Sequence, residues 1–185
     1  MIKNILPLLF FIVLSYNTYS QKCEIQKDPF TNEQIVSFDF RAKTVCFQLK
    51  NERVFFEIVF HYWGERDHEF KEGTEVLLKL ENGNKMGLKT INTSRPKIEQ
   101  ITSSSGYFPG YGGGMTMSSS ENFTAYSFTF SLTPTELNKL ADSKIEVIRI
   151  PDTDEGKYVD LEAKKKTKKK LKAVNKGAIC LSENL

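Results

Sequence analysis

The stretch Arg-Val-Phe-Phe-Glu-Ile-Val-Phe-His-Tyr-Trp, from Arg53 to Trp63, alternates residue type with period two over a longer span than any other part of the chain. In an extended strand successive side chains leave opposite faces of the pleat, so Val54, Phe56, Ile58, Phe60 and Tyr62 share one face and require a core. The opposite face, Arg53, Phe55, Glu57, Val59, His61 and Trp63, mixes charge with bulk, which suits a surface half covered by another element. β-Branched and aromatic enrichment favours strand over helix and a central place in a sheet.

Shorter strands surround it. Ile35 to Phe40 and Thr44 to Leu49 precede it, with Asn51-Glu52 as the turn into it, and together they predict an antiparallel meander. Thr74 to Leu80 and Lys85 to Ile91 flank Glu81-Asn82-Gly83-Asn84, a hairpin signal because Asn and Gly both tolerate positive φ. Lys97 to Thr102, Phe123 to Leu132 and Ile145 to Ile150 predict further strands. Residues 103–120 are dense in Gly and Ser and are expected to form a long irregular loop. Thr133-Pro134-Thr135-Glu136 is a capped helix start, and Leu171, Val174, Ala178 and Leu181 place a C-terminal helix within 161–181, weakened at Gly177. The expected fold is mainly β: an antiparallel sandwich or curved sheet of about seven or eight strands, with a short helix before the last strand and a C-terminal helix across it. An α+β layering is the alternative.

Residues 1–20 have the three-part layout of a secretory signal peptide: Lys3, the apolar run from Ile5 to Leu14, then a polar segment ending at Ser20. The run falls short of the ~20 apolar residues of a spanning helix. Residues 21–185 then suit a single β-rich globular domain with a basic C-terminal helix, placed outside the cytoplasm, in the periplasm or secreted. In that oxidising setting Cys23, Cys46 and Cys180 suggest one disulfide and one free thiol, with three pairings open. Cys23 with Cys180 is favoured because chain termini often lie close together.

Charge is unevenly spread. From Gln21 to Ala163 there are 17 Lys and Arg against 22 Asp and Glu, whereas Lys164, Lys165, Lys166, Lys168, Lys169, Lys170 and Lys172 crowd a short span. Such a block either stays solvated or finds an anionic surface or polyanion. It contains no aromatic residue to stack on bases, which weakens a nucleic-acid reading.

Catalytic signals are sparse. His61, Asp67 and His68, with Glu65 and Glu69, are the candidates for a zinc-type site, but their spacing matches no ligand pattern. There is no Gly-x-Ser-x-Gly elbow, and the glycines from Gly106 to Gly114 lack the Lys-Ser/Thr ending of a phosphate loop. No cofactor is expected. The segment from Cys23 through Asp28-Pro29-Phe30-Thr31, the Glu81-Asn82-Gly83 hairpin and late Cys180 resembles small secreted β-rich domains of unknown function of Bacteroidota type. That resemblance implies an extracytoplasmic bacterial setting and no catalytic residues. The functional expectation is a secreted or periplasmic non-enzymatic binding or structural domain. A metal-dependent hydrolase using His61, His68 and neighbouring acids is the alternative.

Overall fold

The structure is a computed structural model describing residues 23–41, 43–107, 115–154 and 156–185. The signal-peptide segment, residues 1–20, lies outside them. In chain order the elements are β1 (Cys23–Lys27), β2 (Gln34–Phe40), β3 (Val45–Lys50), β4 (Arg53–Trp63), β5 (Glu75–Leu80), β6 (Lys85–Lys89), β7 (Lys97–Tyr107), β8 (Met115–Leu132), α1 (Pro134–Asp142), β9 (Ile145–Pro151), β10 (Tyr158–Glu162) and α2 (Lys165–Ser182). They build two antiparallel sheets, β1-β2-β3-β4-β8-β7 and β10-β9-β5-β6. The described residues are therefore mainly β, with two sheets, two helices and no barrel among them, in line with the expected fold class.

The long alternating strand β4 is central, between β3 and β8. Register sets Phe38, Phe47, Phe56 and Phe130 side by side on β2, β3, β4 and β8. Phe47 stacks on Phe56 with ring centroids 4.5 Å apart, and Phe56 on Phe130 at 5.5 Å. All four rings are out of water, and burying each aromatic side chain contributes roughly 1.5–3 kcal/mol. At one end of the row α2 packs on β2 and β3. At the other, Thr90 bridges to Phe130, and the Ile91 N–H donates to the Thr129 carbonyl at 2.9 Å, so the exit of β6 joins the second sheet to β8. Val76, Leu78, Leu80, Ile148 and Ile150 extend the same core across the second sheet.

Thr133 caps α1 as its sequence predicts. Its Oγ1 accepts from the Glu136 N–H at 3.3 Å, while the Glu136 carboxylate accepts from the Thr133 N–H at 2.8 Å. Asn175 of α2 donates to the carbonyls of Leu140 and Ala141, each at 2.8 Å, locking the two helices together at an otherwise apolar contact. A disulfide joins Cys23 to Cys180, tying the exposed edge strand β1 to α2 across 157 residues. Cys46 is the free thiol, half-buried rather than fully buried.

Four local expectations change. Both parts of the Gly/Ser-rich segment that are described are strand: β7 and β8 pair from Lys97↔Ala125 out to Tyr107↔Met115. Backbone ladder bonds need no particular side chain, so low strand propensity does not prevent them; residues 108–114 lie outside the described residues. Strands β1 and β10 are additions, so α1 precedes the penultimate strand. The Asn82-Gly83 hairpin forms, but only Gly83 takes positive φ, at 84°. The two-residue turn with both positions left-handed is instead Asn51-Glu52, at φ 51° and 59°, imposed by the Lys50↔Arg53 register.

Helix α2 also runs unbroken through Gly177. A Cβ there would lie 2.8 Å from Phe38 Cδ1 and from Phe47 Cε2, so glycine is what lets the helix backbone rest on the phenylalanine row. Gly177→Ala should therefore lower the melting temperature. Overpacking costs about 1–3 kcal/mol, against roughly 1 kcal/mol gained in helix propensity. A variant more stable than the parent in a thermal melt would contradict this packing.

Candidate functional site

The lysine block divides once α2 is docked. The inward stripe of the helix is Leu171, Val174, Ala178 and Leu181, all at most 1% exposed. At 100° per residue, Lys165, Lys168, Lys169, Lys172 and Lys176 fall within a sector about 100° wide on the opposite side. All five residues are exposed. The stripe is about 16 Å long at 1.5 Å per residue. The helix contains no Asp or Glu, and among the described residues none of these five lysines makes an ion pair. Lys164, at the N-cap, pairs with Glu162. The side chain of Lys166 lies outside those described.

The first turn of α2 is unlike that of α1. Lys164 offers no side-chain cap, no acidic residue occupies the turn, and Lys165 sits at φ 47°, a left-handed value that costs a non-glycine residue energy. Lysines gather here at the positive end of the helix dipole, where cations are disfavoured. The arrangement is electrostatically frustrated in the isolated fold and would be relieved by an anion.

Lys170 leaves the solvated set. Strand β4 outruns β3: the Val59 N–H donates to the Thr44 carbonyl at 3.0 Å, but the Thr44 N–H turns back to the Arg41 carbonyl at 3.2 Å. The Val59 carbonyl thus loses its ladder partner, and the Lys170 ammonium donates to it instead. The same ammonium stands 4.5 Å from the centre of the Phe60 ring. Burial pulls the Lys170 pKa down to about 8. The carbonyl and the ring face favour the charged form and oppose that shift.

The candidate metal residues do not converge. His61 projects from β4 toward Glu99, Nε2 to Oε2 3.5 Å. His68 packs edge-on to the core residue Phe70 at 4.8 Å, and its carbonyl accepts from the Tyr126 hydroxyl at 2.8 Å, which places it toward the opposite face of the sheet. Glu65 accepts from Asn122 at 2.6 Å and Glu69 pairs with Arg95 at 3.3 Å. Asp67 joins neither histidine in a ligand set, and among the described residues no group of three or more His, Cys, Asp or Glu is placed to hold a metal ion. The Cys46 thiol pKa is raised, by burial first and then by Asp39 and Glu57, which suppresses its nucleophilic thiolate. No helix of the described residues is long and apolar enough to cross a membrane.

Set against protein-family models, curated proteins and solved structures, the chain matches none.

Lys176 escaped the sequence reading because Ala173-Val174-Asn175 separates it from the block. Its helical phase was the available signal. Lys170 makes a pH-dependent prediction. Unfolded, it titrates at the ordinary 10.5; folded, at about 8. Between those values the unfolded chain holds a proton that the native chain lacks, so native stability rises with pH across this window and the full penalty applies below about pH 8. Denaturant titrations should show the parent gaining up to about 3 kcal/mol on Lys170→Met between pH 7 and pH 10. Parallel pH profiles would contradict the buried placement of Lys170.

Proposed function

We propose that this chain is an extracytoplasmic, non-enzymatic binding domain that docks on polyanions through the outer face of α2. The observation that carries the reading is the stripe Lys165, Lys168, Lys169, Lys172 and Lys176, five cations on one helix face with no acidic neighbour on the helix. Like charges at i,i+4 and i,i+3 spacing destabilise a helix by a few tenths of a kcal/mol per pair. The packed inner face holds the helix in spite of them. A polyanion along the stripe would neutralise the lysines, release its own counterions and meet the uncapped helix start.

The localisation fits the disulfide, which persists in oxidising compartments, and the secretory layout of residues 1–20. The stripe carries lysine without arginine or aromatic side chains, which suits charge-density recognition of a linear polyanion more than base or ring readout. A hydrolase built on His61 and His68 draws no support from the geometry, because the two side chains diverge to different partners.

Heparin affinity chromatography tests the reading. The mature chain should be retained at low salt and released as salt rises, and replacing Lys165, Lys168, Lys169 and Lys172 with Gln should weaken binding at least about tenfold, given roughly 1 kcal/mol per lysine near an anionic surface. The melting temperature should barely move, since exposed lysines contribute little to folding. A parent that passes heparin and anionic vesicles unretained at low salt would overturn the proposal.

A further inference from the structure

The face of the six-stranded sheet turned away from α2 carries a second, independent feature. A cleft of about 430 Å³ opens there, floored by Val59, Ala125 and Ser127. It exists because Ala125 stands between His61 on β4 and Lys97 on β7 in one cross-strand row, and a single methyl group leaves the row hollow at its middle. The rim is polar. Glu99 holds Lys97 at 3.0 Å and His61 at 3.5 Å, fixing both over the hollow. Lys43, Thr44 and Arg95 complete the lining, so lysine and arginine side chains outnumber the one carboxylate in it, Glu99. The partner of Arg95, Glu69, does not line the cleft.

The next row along the strands, about 7 Å away, is Trp63, Phe123 and Glu99. Trp63 is the only tryptophan in the chain, and it is 63% exposed. Phe123 meets its ring at 4.8 Å and 79°, an edge-on contact that fixes the indole while leaving most of it in water. Keeping so large an apolar surface wet, and held, is unfavourable for the isolated fold. The combination of a fixed exposed indole and an adjoining hollow with donors and acceptors suits a pyranose ring, with an apolar C–H face to lie on the indole and a hydroxyl rim for the polar side chains. The excess of cations adds a carboxylate or sulfate to that ring.

We propose that the cleft beside Trp63 binds an acidic sugar residue, its ring stacked on the indole and its anionic group held by Lys97, Arg95 and Lys43. This goes beyond docking through α2, because α2 covers the other face of the same sheet and shares none of these residues.

Trp63 reports its own ligand, since it is the one tryptophan and excitation at the red edge, beyond tyrosine absorption, draws emission from that indole. The mature protein is titrated with hexagalacturonate, which carries carboxylates, a chondroitin sulfate hexasaccharide, which adds sulfate, and neutral cellohexaose. At least one acidic probe should shift the emission, saturating near about 1 mM, and cellohexaose should bind at least about tenfold more weakly. A response to hexagalacturonate identifies carboxylate as sufficient, and a response to the chondroitin probe alone identifies sulfate. Arg95→Gln with Lys97→Gln, both highly exposed positions, should weaken the response about tenfold, and Trp63→Ala should abolish binding by calorimetry. The α2 lysine variant should respond like the parent, which separates failure here from failure of the helix reading. Unchanged emission with both acidic probes, equal binding of cellohexaose, or a response lost in the α2 variant and kept in the cleft variant would overturn the proposal.

Discussion

Four phenylalanine rings in register, Phe38, Phe47, Phe56 and Phe130, are the contact on which the architecture rests. They lie on four adjacent strands of one sheet and are fully desolvated. Two elements meet this row: α2 through the bare backbone of Gly177 on Phe38 and Phe47, and the second sheet through the backbone bridge of Thr90 to Phe130. The row carries the helix backbone over one half, while at its other end the second sheet joins edge-on through backbone pairing with β8 and shares the same apolar core. Offset stacking adds about 0.5–1.5 kcal/mol per pair beyond burial. The disulfide then closes the chain around the helix side by holding β1 against α2.

That docking decides which charges face water. Once Gly177, Val174 and Leu181 are seated, the helical phase is set, and Lys165, Lys168, Lys169, Lys172 and Lys176 have only solvent to face. Lys170 is drawn the other way, because β4 extends past the start of β3 and leaves the Val59 carbonyl without a strand partner. One lysine satisfies a sheet edge, and five form a continuous cationic stripe. The separation of structural from exposed cations thus follows from the length mismatch of two neighbouring strands and the rotation of one helix.

Much of this was legible in the residues. Period-two alternation located β2 to β6 and β9, and the Thr133-Pro134-Thr135-Glu136 signature located α1. β10 was legible too: Val159 and Leu161 alternate with Tyr158, Asp160 and Glu162, but the nearby helical pattern drew Leu161 into α2. The outer part of the β7–β8 hairpin was hidden, because Gly and Ser carry no strand preference and the pairing follows from register begun at Lys97↔Ala125. Gly177 was misleading: glycine weakens an isolated helix, yet here it permits the closest approach of backbone to ring. At the candidate site the charge block was plain, while the inward turn of Lys170 required the strand lengths of β3 and β4. The outer cleft was out of reach altogether, since His61, Ala125 and Lys97 meet only through the β4-β8-β7 order.

The central claim is that the phenylalanine row binds α2 and both sheets into one cooperative unit. Native-state hydrogen exchange tests it most directly, because it reads the opening free energy of each element separately. The slowest amides of β4, β5 and α2 should exchange with one common free energy, equal to that of global unfolding. Exchange of α2 amides through an opening several kcal/mol smaller than that of β4 would show the helix to be a detachable appendage and contradict the account.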